Sequence, residues 1–195
     1  MVGAYAVITA VFTMGLPPFI AILISIALCA LLGIVIEFLA YRPLRQAQPL
    51  AVLITAIGVS YLLQNLALLI YGSEQKAFPT IVALPTVHIG GVYIDGITLA
   101  TLVVTAVIMV ALSLFINKTR MGKAMRAVSE DKEAAELMGI SVNRTITVTF
   151  AIGSALAGVA AIFYGAAYTY IRPTTGAMPG IKAFTAAVFG GIGSI

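Results

Sequence analysis

Charge is scarce in this chain of 195 residues. Charged side chains make up 9% of it and hydrophobic side chains 61%. Average soluble domains are about 25% charged. Because a soluble fold cannot bury so much apolar surface, the composition excludes a soluble globular domain and indicates an integral membrane protein. The mean hydropathy of +1.09 agrees with that class.

Residues that form disulfides or bind metals are nearly absent as well. Cys29 is the only cysteine, which excludes an internal disulfide and a cysteine-based metal site. His88 is the only histidine and has no clustered partners, whereas a metal site needs several ligands. We therefore expect no metal site.

The formal net charge is +4, which in a soluble protein could indicate a nucleic-acid partner. In this chain the basic residues border long uncharged runs. Their placement is better explained by orientation in a lipid bilayer, so we expect no nucleic-acid partner.

Apolar runs divide the chain into about six predicted membrane spans. They are residues 2–14, 17–39, 49–71, 97–117, 145–168 and 182–195. The second run is about 34 Å long as a helix, enough to cross about 30 Å of hydrocarbon. Backbone groups in lipid must be satisfied within their own segment, so the expected fold is an all-α polytopic helix bundle. Since the chain begins and stops inside apolar runs, we also expect it to be truncated at both ends.

Basic residues predict the orientation of these spans. Arg42, Arg45 and six residues of the segment 118–144 fall on one side, and Lys76, Arg172 and Lys182 fall on the other; the six are Lys118, Arg120, Lys123, Arg126, Lys132 and Arg144. Eight against three places the first side in the cytoplasm. The outer loop, residues 72–96, is predicted to contain a small hairpin over 81–94, around Gly90 and Gly91.

The segment 118–144 holds 10 of the 18 charged residues in 27 positions. Ser129 is predicted to cap a helix, with Glu130, Asp131 and Glu133 in its first turn, where the helix dipole favours anions. Gly139 stands where a left-handed C-cap residue belongs. The pattern predicts a helix from about residue 130 to residue 138.

One face of this predicted helix is apolar. Ala134, Leu137 and Met138 share it by their i, i+3 and i+4 spacing. About nine residues are too few for a stable isolated helix in water. The face needs a surface to cover, either this chain's own helices or a partner's groove. An ordinary helical loop between spans is the alternative.

The third span carries polar side chains, which need hydrogen-bond partners in lipid. They either bond to other helices or line a translocation path; they are Thr55, Ser60, Tyr61, Gln64 and Asn65. Glu37 lies near the cytoplasmic end of the second span. It is expected to be an interfacial charge rather than a proton site. It could snorkel to the interface or pair with Arg42, although the i+5 spacing is poorly placed for pairing on a regular helix.

The order Glu133-Ala134-Ala135, three further residues and Gly139 resembles the EAA loop of ABC importer permeases. Further segments resemble the permeases of branched-chain amino acid importers, and the likeness is closer to the first of the two paired permeases. These segments are residues 41–45, 53–58, 119–127, 155–158 and 189–194.

The resemblance implies one transmembrane permease domain, residues 1–195, whose loop 118–144 couples it to an ATPase. Coupling would fall to Glu133, Ala134, Ala135, Leu137, Met138 and Gly139. It implies no catalytic residue and no cofactor in this chain, since ATP and magnesium bind to the ATPase partner. The implied partners are a second permease, two ATP-binding subunits and a periplasmic substrate-binding protein, in the cytoplasmic membrane of a bacterium or archaeon. Family permeases are longer at both ends, which agrees with the expected truncation.

The resemblance leaves the substrate open. Leucine, isoleucine and valine are the expected substrates, while urea, short amides or other amino acids fit the same features. An ion-coupled secondary transporter is disfavoured because no Asp or Glu lies in the middle of a predicted span. A membrane scaffold without transport activity is the remaining alternative.

Overall fold

The computed structural model of the protein describes residues 1–44, 47–79, 87–89 and 92–190. Within these residues the chain forms eight α-helices: α1 Val2–Phe12, α2 Pro18–Ile36, α3 Pro49–Tyr71, α4 Gly96–Lys118, α5 Arg120–Glu130, α6 Lys132–Leu137, α7 Val142–Tyr168 and α8 Ala177–Phe189. A π-helical turn, Glu37–Tyr41, extends α2. The strands are β1 Lys76–Ala77, β2 Val87–Ile89, β3 Val92–Ile94 and β4 Tyr170–Ile171.

Four helical segments are long and apolar enough to cross a membrane, which confirms the predicted class. They are Pro18–Tyr41, Leu50–Tyr71, Gly96–Lys118 and Val142–Tyr168. The first and last predicted spans form shorter helices, α1 with 11 residues and α8 with 13. α8 starts at Ala177, before the predicted residue 182, and residues 191–195 lie outside the described part of the chain.

The packed centre of the bundle consists of α1, α2 and α7. The buried residues of α2 recur at every fourth position and are all small: Ala21, Ser25, Cys29 and Gly33. Small residues at this spacing let neighbouring helix backbones approach closely. Ser25 Oγ donates a 2.7 Å hydrogen bond to the carbonyl of Gly3, which joins α2 to α1. A Cβ at Gly33 would collide with Ser154, so α2 and α7 touch there without space for a side chain.

Aromatic contacts close one end of this centre. The ring of Tyr5 is fully buried and stacks on Tyr71, with 4.4 Å between the ring centroids. The hydroxyl groups of Thr9 and Tyr71 lie 3.0 Å apart and form a hydrogen bond. The last turn of α3 is therefore fixed against α1.

The loops at this end also pair with each other. β1 and β4 are antiparallel, with Lys76 opposite Ile171. The pairing places the loop after α3 and the loop after α7 on the same side, as the alternation of spans requires. The predicted hairpin is present where β2 pairs with β3, with His88 opposite Tyr93. The rest of the predicted hairpin, residues 81–86 with Gly90 and Gly91, lies outside the described residues.

The outer helices of the bundle are exposed over most of their length. α8 buries none of its residues, and α4 buries only Gly96 at its start. A wide apolar groove of about 720 Å³ separates α4 from α7. These helices present apolar side chains outward, as helices in contact with lipid or with another membrane protein do.

Candidate functional site

The charged segment folds into two short helices between α4 and α7. Thr119 ends α4 and caps α5, because its Oγ1 accepts a 3.0 Å hydrogen bond from the Gly122 N–H. Along α5 the apolar Met125 and Val128 lie on one face, while Lys123 and Arg126 lie on the other. α5 is thus an amphipathic helix with a basic side.

The predicted start of the next helix is wrong by two residues. Ser129 does not cap it, because Ser129 lies inside α5 and its Oγ donates to the carbonyl of Arg126 at 2.7 Å. The helix axis breaks at Asp131, whose backbone is extended. The Asp131 carboxylate accepts hydrogen bonds from the N–H groups of Glu133 at 2.9 Å and Ala134 at 3.1 Å. α6 is therefore a separate helix of six residues rather than the nine expected.

The predicted end of this helix is confirmed. Gly139 has φ of +81°, the left-handed conformation that a side chain would strain. The Gly139 N–H donates to the Glu136 carbonyl and the Ile140 N–H to the Ala135 carbonyl, each at 3.0 Å. These two bonds form a Schellman motif, which satisfies the last carbonyl groups of the helix.

The apolar face of α6 projects into open space. Leu137 is 89% exposed and Met138 is 83% exposed, and Ala134 lies beside them on the surface. Ala135, at 4% exposure, is the buried residue of α6 and faces the chain's own helices. The sequence left open whether the chain's own helices or a partner's groove covers this face. In the described structure the chain's own helices do not cover it.

α6 is joined to the packed centre of the bundle through α7, which begins only a few residues later. Five residues into α7, Thr147 Oγ1 donates a 2.8 Å hydrogen bond to Glu37 Oε2. The ring of Phe150 packs against Tyr41, with 4.9 Å between centroids. The π-helical turn at the end of α2 is therefore tied to the first turns of α7.

Glu37 itself departs from the sequence prediction. It was expected to be an interfacial charge, but it is 1% exposed and hydrogen-bonded to a helix 110 residues away. The guanidinium group of Arg42, whose i+5 spacing is poorly placed for pairing with Glu37, lies over the ring of Phe38, 5.0 Å from the centroid. Sequence reasoning missed this site because local spacing carries no signal for a partner so far along the chain.

The polar residues of α3 form a separate surface. Thr55 Oγ1 donates to the Ala51 carbonyl at 2.8 Å, and Asn65 Nδ2 donates to the Tyr61 carbonyl at 2.8 Å. Gln64 Nε2 donates to Ser60 Oγ at 3.2 Å.

These bonds all stay within α3, so the predicted bonds to other helices are not found among the described residues. Tyr61 is 62% exposed and Ser60 and Asn65 are exposed. The structure does not bring this surface together with α6.

Comparison with known proteins gives matches that cover the whole length of the chain. Residues 1–195 match the family described as branched-chain amino acid transport system, permease component. The chain is 44% identical over 207 residues to the high-affinity branched-chain amino acid transport system permease protein BraD of Pseudomonas aeruginosa, covering 100% of this chain and 67% of that protein.

Two further relatives carry the same description under the name LivH. The protein of Salmonella typhimurium is 39% identical over 214 residues, covering 100% of this chain and 67% of that protein. The protein of Escherichia coli K12 is 42% identical over 182 residues, covering 88% of this chain and 57% of that protein. No solved structure matches the chain. The chain thus spans about two thirds or less of the length of these relatives.

Proposed function

The chain belongs to the permease components of branched-chain amino acid transport systems, and on that basis we propose that it is a subunit of an ATP-driven importer for leucine, isoleucine and valine. It is a multi-pass membrane permease and not an enzyme. The names of its relatives support the substrate. The substrate is tested by measuring the uptake of radiolabelled leucine in the presence of unlabelled isoleucine, valine, urea or short amides. We expect isoleucine and valine to compete and urea and short amides not to compete.

The observation that carries the mechanism is the exposed apolar pair Leu137 and Met138 on a helix capped at both ends. Exposed side chains of this size are candidates for burial in a partner's pocket, and each contributes about 1.5–3 kcal/mol when fully buried. Glu133 and Glu136 are exposed beside them and give the surface a polar rim. We assign this surface to the ATP-binding subunit.

Closure of the ATP-binding subunits would then reach the membrane helices through a short path. Gly139, Ile140 and Ser141 form the short connection from α6 to α7, and the Thr147–Glu37 hydrogen bond connects α7 to α2. Movement of α6 is thereby passed to the packed centre of the bundle, which shifts between inward- and outward-facing states. This chain binds no cofactor in this scheme, because ATP and magnesium bind to the partner.

The other surfaces suit the remaining partners. A second permease would cover the exposed apolar sides of α3, α4 and α8, completing an assembly with two ATP-binding subunits. A periplasmic substrate-binding protein would meet the outer loop 72–96, on the side of the β1–β4 pair. The outward polar side chains of α3, Thr55, Ser60, Tyr61, Gln64 and Asn65, would line the translocation path. This arrangement places α6 in the cytoplasm of a bacterium or archaeon.

The coupling role is tested by Leu137→Asp in the importer purified with its ATP-binding subunits. A carboxylate buried without a partner at the centre of the interface costs several kcal/mol, so the ATP-binding subunits should no longer co-purify and transport should stop. Because Leu137 is 89% exposed in this chain, the thermal unfolding midpoint of the permease itself should not change.

The matched control is Leu137→Met, which keeps an apolar side chain at the same position and should retain both association and transport. Unimpaired co-purification and transport with Leu137→Asp would exclude α6 as the coupling element.

A further inference from the structure

A second groove lies at the charged end of the bundle, apart from the exposed face of α6. It has a volume of about 370 Å³ and separates α5 from the end of α4 and the first turns of α7. This size falls within the range of about 300–1,000 Å³ that is usual for ligand pockets. Neither the coupling surface nor the polar side of α3 includes it.

The wall and the mouth of this groove differ in chemistry. Ile116, Val128 and Phe150 form an apolar wall, to which Ile116 and Phe150 contribute from the membrane-spanning helices α4 and α7. Arg126 and Lys132, both exposed, also line the groove, and among the described residues its lining includes no acidic side chain. The groove is therefore apolar on the side of the bilayer and cationic on the side of water.

Arg126 is hydrogen-bonded to the end of α4. Its Nη1 donates a 3.2 Å hydrogen bond to Asn117 Oδ1, so the partner of the guanidinium group among the described residues is a neutral amide. Lys132, the first residue of α6, is exposed. Ser129, which comes between Arg126 and Lys132 in the sequence, also lines the groove and adds a hydroxyl group to it.

The height of the groove in the bilayer follows from the helices that form it. α4 ends at Lys118 and α7 begins at Val142, so both leave the hydrocarbon at this level. Basic side chains at this level are attracted to anionic lipids of the cytoplasmic leaflet. An amphipathic helix with a basic side, such as α5, is typical of the same interface.

We propose that this groove binds one anionic phospholipid, with its phosphate between Arg126 and Lys132 and an acyl chain along the apolar wall. The assignment to the cytoplasmic leaflet rests on the orientation given under the proposed function. Since Lys132 begins α6, the bound lipid ties the start of the coupling helix to the bilayer surface. The lipid site itself requires only the groove and its two cations.

The test is native mass spectrometry of the intact permease, first delipidated in detergent and then titrated with phosphatidylglycerol or phosphatidylcholine. We expect selective retention of phosphatidylglycerol. The double change Arg126→Gln and Lys132→Gln should weaken it about 25-fold, at about fivefold for each cation near a membrane surface. The control Lys118→Gln with Lys123→Gln removes the same charge outside the groove lining and should weaken retention clearly less than the double change in the groove.

A further variant, Ser129→Trp, keeps both cations but places a large side chain in the groove lining and should also weaken retention. Thermal unfolding of each variant checks that the exposed substitutions leave the fold intact.

Three outcomes would overturn the proposal. Equal losses with the two double variants would mean general attraction to charged lipid rather than a site. Full competition by inorganic phosphate would assign the cations to a free anion. Loss of the lipid on assembly with the ATP-binding subunits would assign the groove to that partner. None of these outcomes alters the association test for Leu137, so the lipid site and the coupling role can fail separately.

Discussion

Replacement of Thr147 by valine removes the bond that joins the first turns of α7 to the end of α2. Valine keeps the β-branched shape and deletes only the hydroxyl group. The Thr147 Oγ1 lies 2.8 Å from Glu37 Oε2 and 3.0 Å from the carbonyl of Asn143, four residues earlier in the same helix. The loss therefore combines a bond across helices with an ordinary bond inside α7.

The structure offers a control that separates the two contributions. Thr149 lies two residues further along α7, and its Oγ1 donates only to the Thr145 carbonyl, at 2.8 Å. Thr149→Val thus removes the intrahelical bond alone. The difference between the two variants measures the bond to Glu37.

The expected difference is about 1.5–3 kcal/mol, the usual contribution of a hydrogen bond to a charged group. For a chain of this length the difference corresponds to a thermal midpoint roughly 3–12 °C lower for Thr147→Val than for Thr149→Val.

The measurement is thermal unfolding of the purified protein in one detergent, followed by a double-mutant cycle with Glu37→Gln. Coupling between Glu37→Gln and Thr147→Val should exceed about 0.5 kcal/mol, whereas the same cycle with Thr149→Val should be additive. Equal midpoints for the two valine variants, or additivity in both cycles, would refute the bond as a link between the helices.

Two further comparisons use positions that differ mainly in their surroundings. Asp131→Ala should speed hydrogen exchange of the first-turn amides of α6, because it removes a cap that contributes about 0.5–2 kcal/mol. The control Ser129→Ala should leave the exchange of these amides unchanged. The reverse result would restore Ser129 as the cap. Gly33→Ala should destabilise the protein by about 1–3 kcal/mol in thermal unfolding, because the added Cβ meets Ser154. The control Gly58→Ala, with open space around it, should be neutral or stabilising. Similar unfolding midpoints for the two variants would mean that α2 and α7 are not in contact at Gly33.

The membrane helices were predictable where local signals agreed. α3 runs from Pro49 to Tyr71, the predicted bounds, because proline suits its first turn and Gly72, with φ of +80°, ends it. The end of α6 at Gly139 was predictable for the same reason, since only glycine adopts that conformation without strain.

Competition between equivalent local signals explains the error at the start of α6. Ser129 and Asp131 are both good helix caps, and their order along the chain does not decide between them. In the structure the Asp131 carboxylate accepts two backbone hydrogen bonds, while Ser129 satisfies its hydroxyl group inside α5. The polar side chains of α3 also form local hydrogen bonds, with acceptors four residues earlier in the same helix.

The pairing of Glu37 with Thr147 was beyond the sequence for a different reason. A carboxyl group near a span end is compatible with both an exposed and a buried position, and only the packing of α2 against α7 decides. The function of the polar residues on α3 stays a prediction, since a translocation path depends on surfaces that a second subunit would supply.

The separation of α2 from α7 along the chain has a consequence for the order of assembly in the cell. The packed centre needs α7, yet Thr147 comes 110 positions after Glu37 in the chain. At about 5–20 residues per second, a ribosome needs roughly 5–20 s to make that stretch. During this interval the α1–α2 pair has to wait in the bilayer while α3 and α4 are inserted, with the carboxyl group of Glu37 still lacking the threonine donor. The packed centre of α1, α2 and α7 is therefore completed only when α7 arrives against helices that were made long before it.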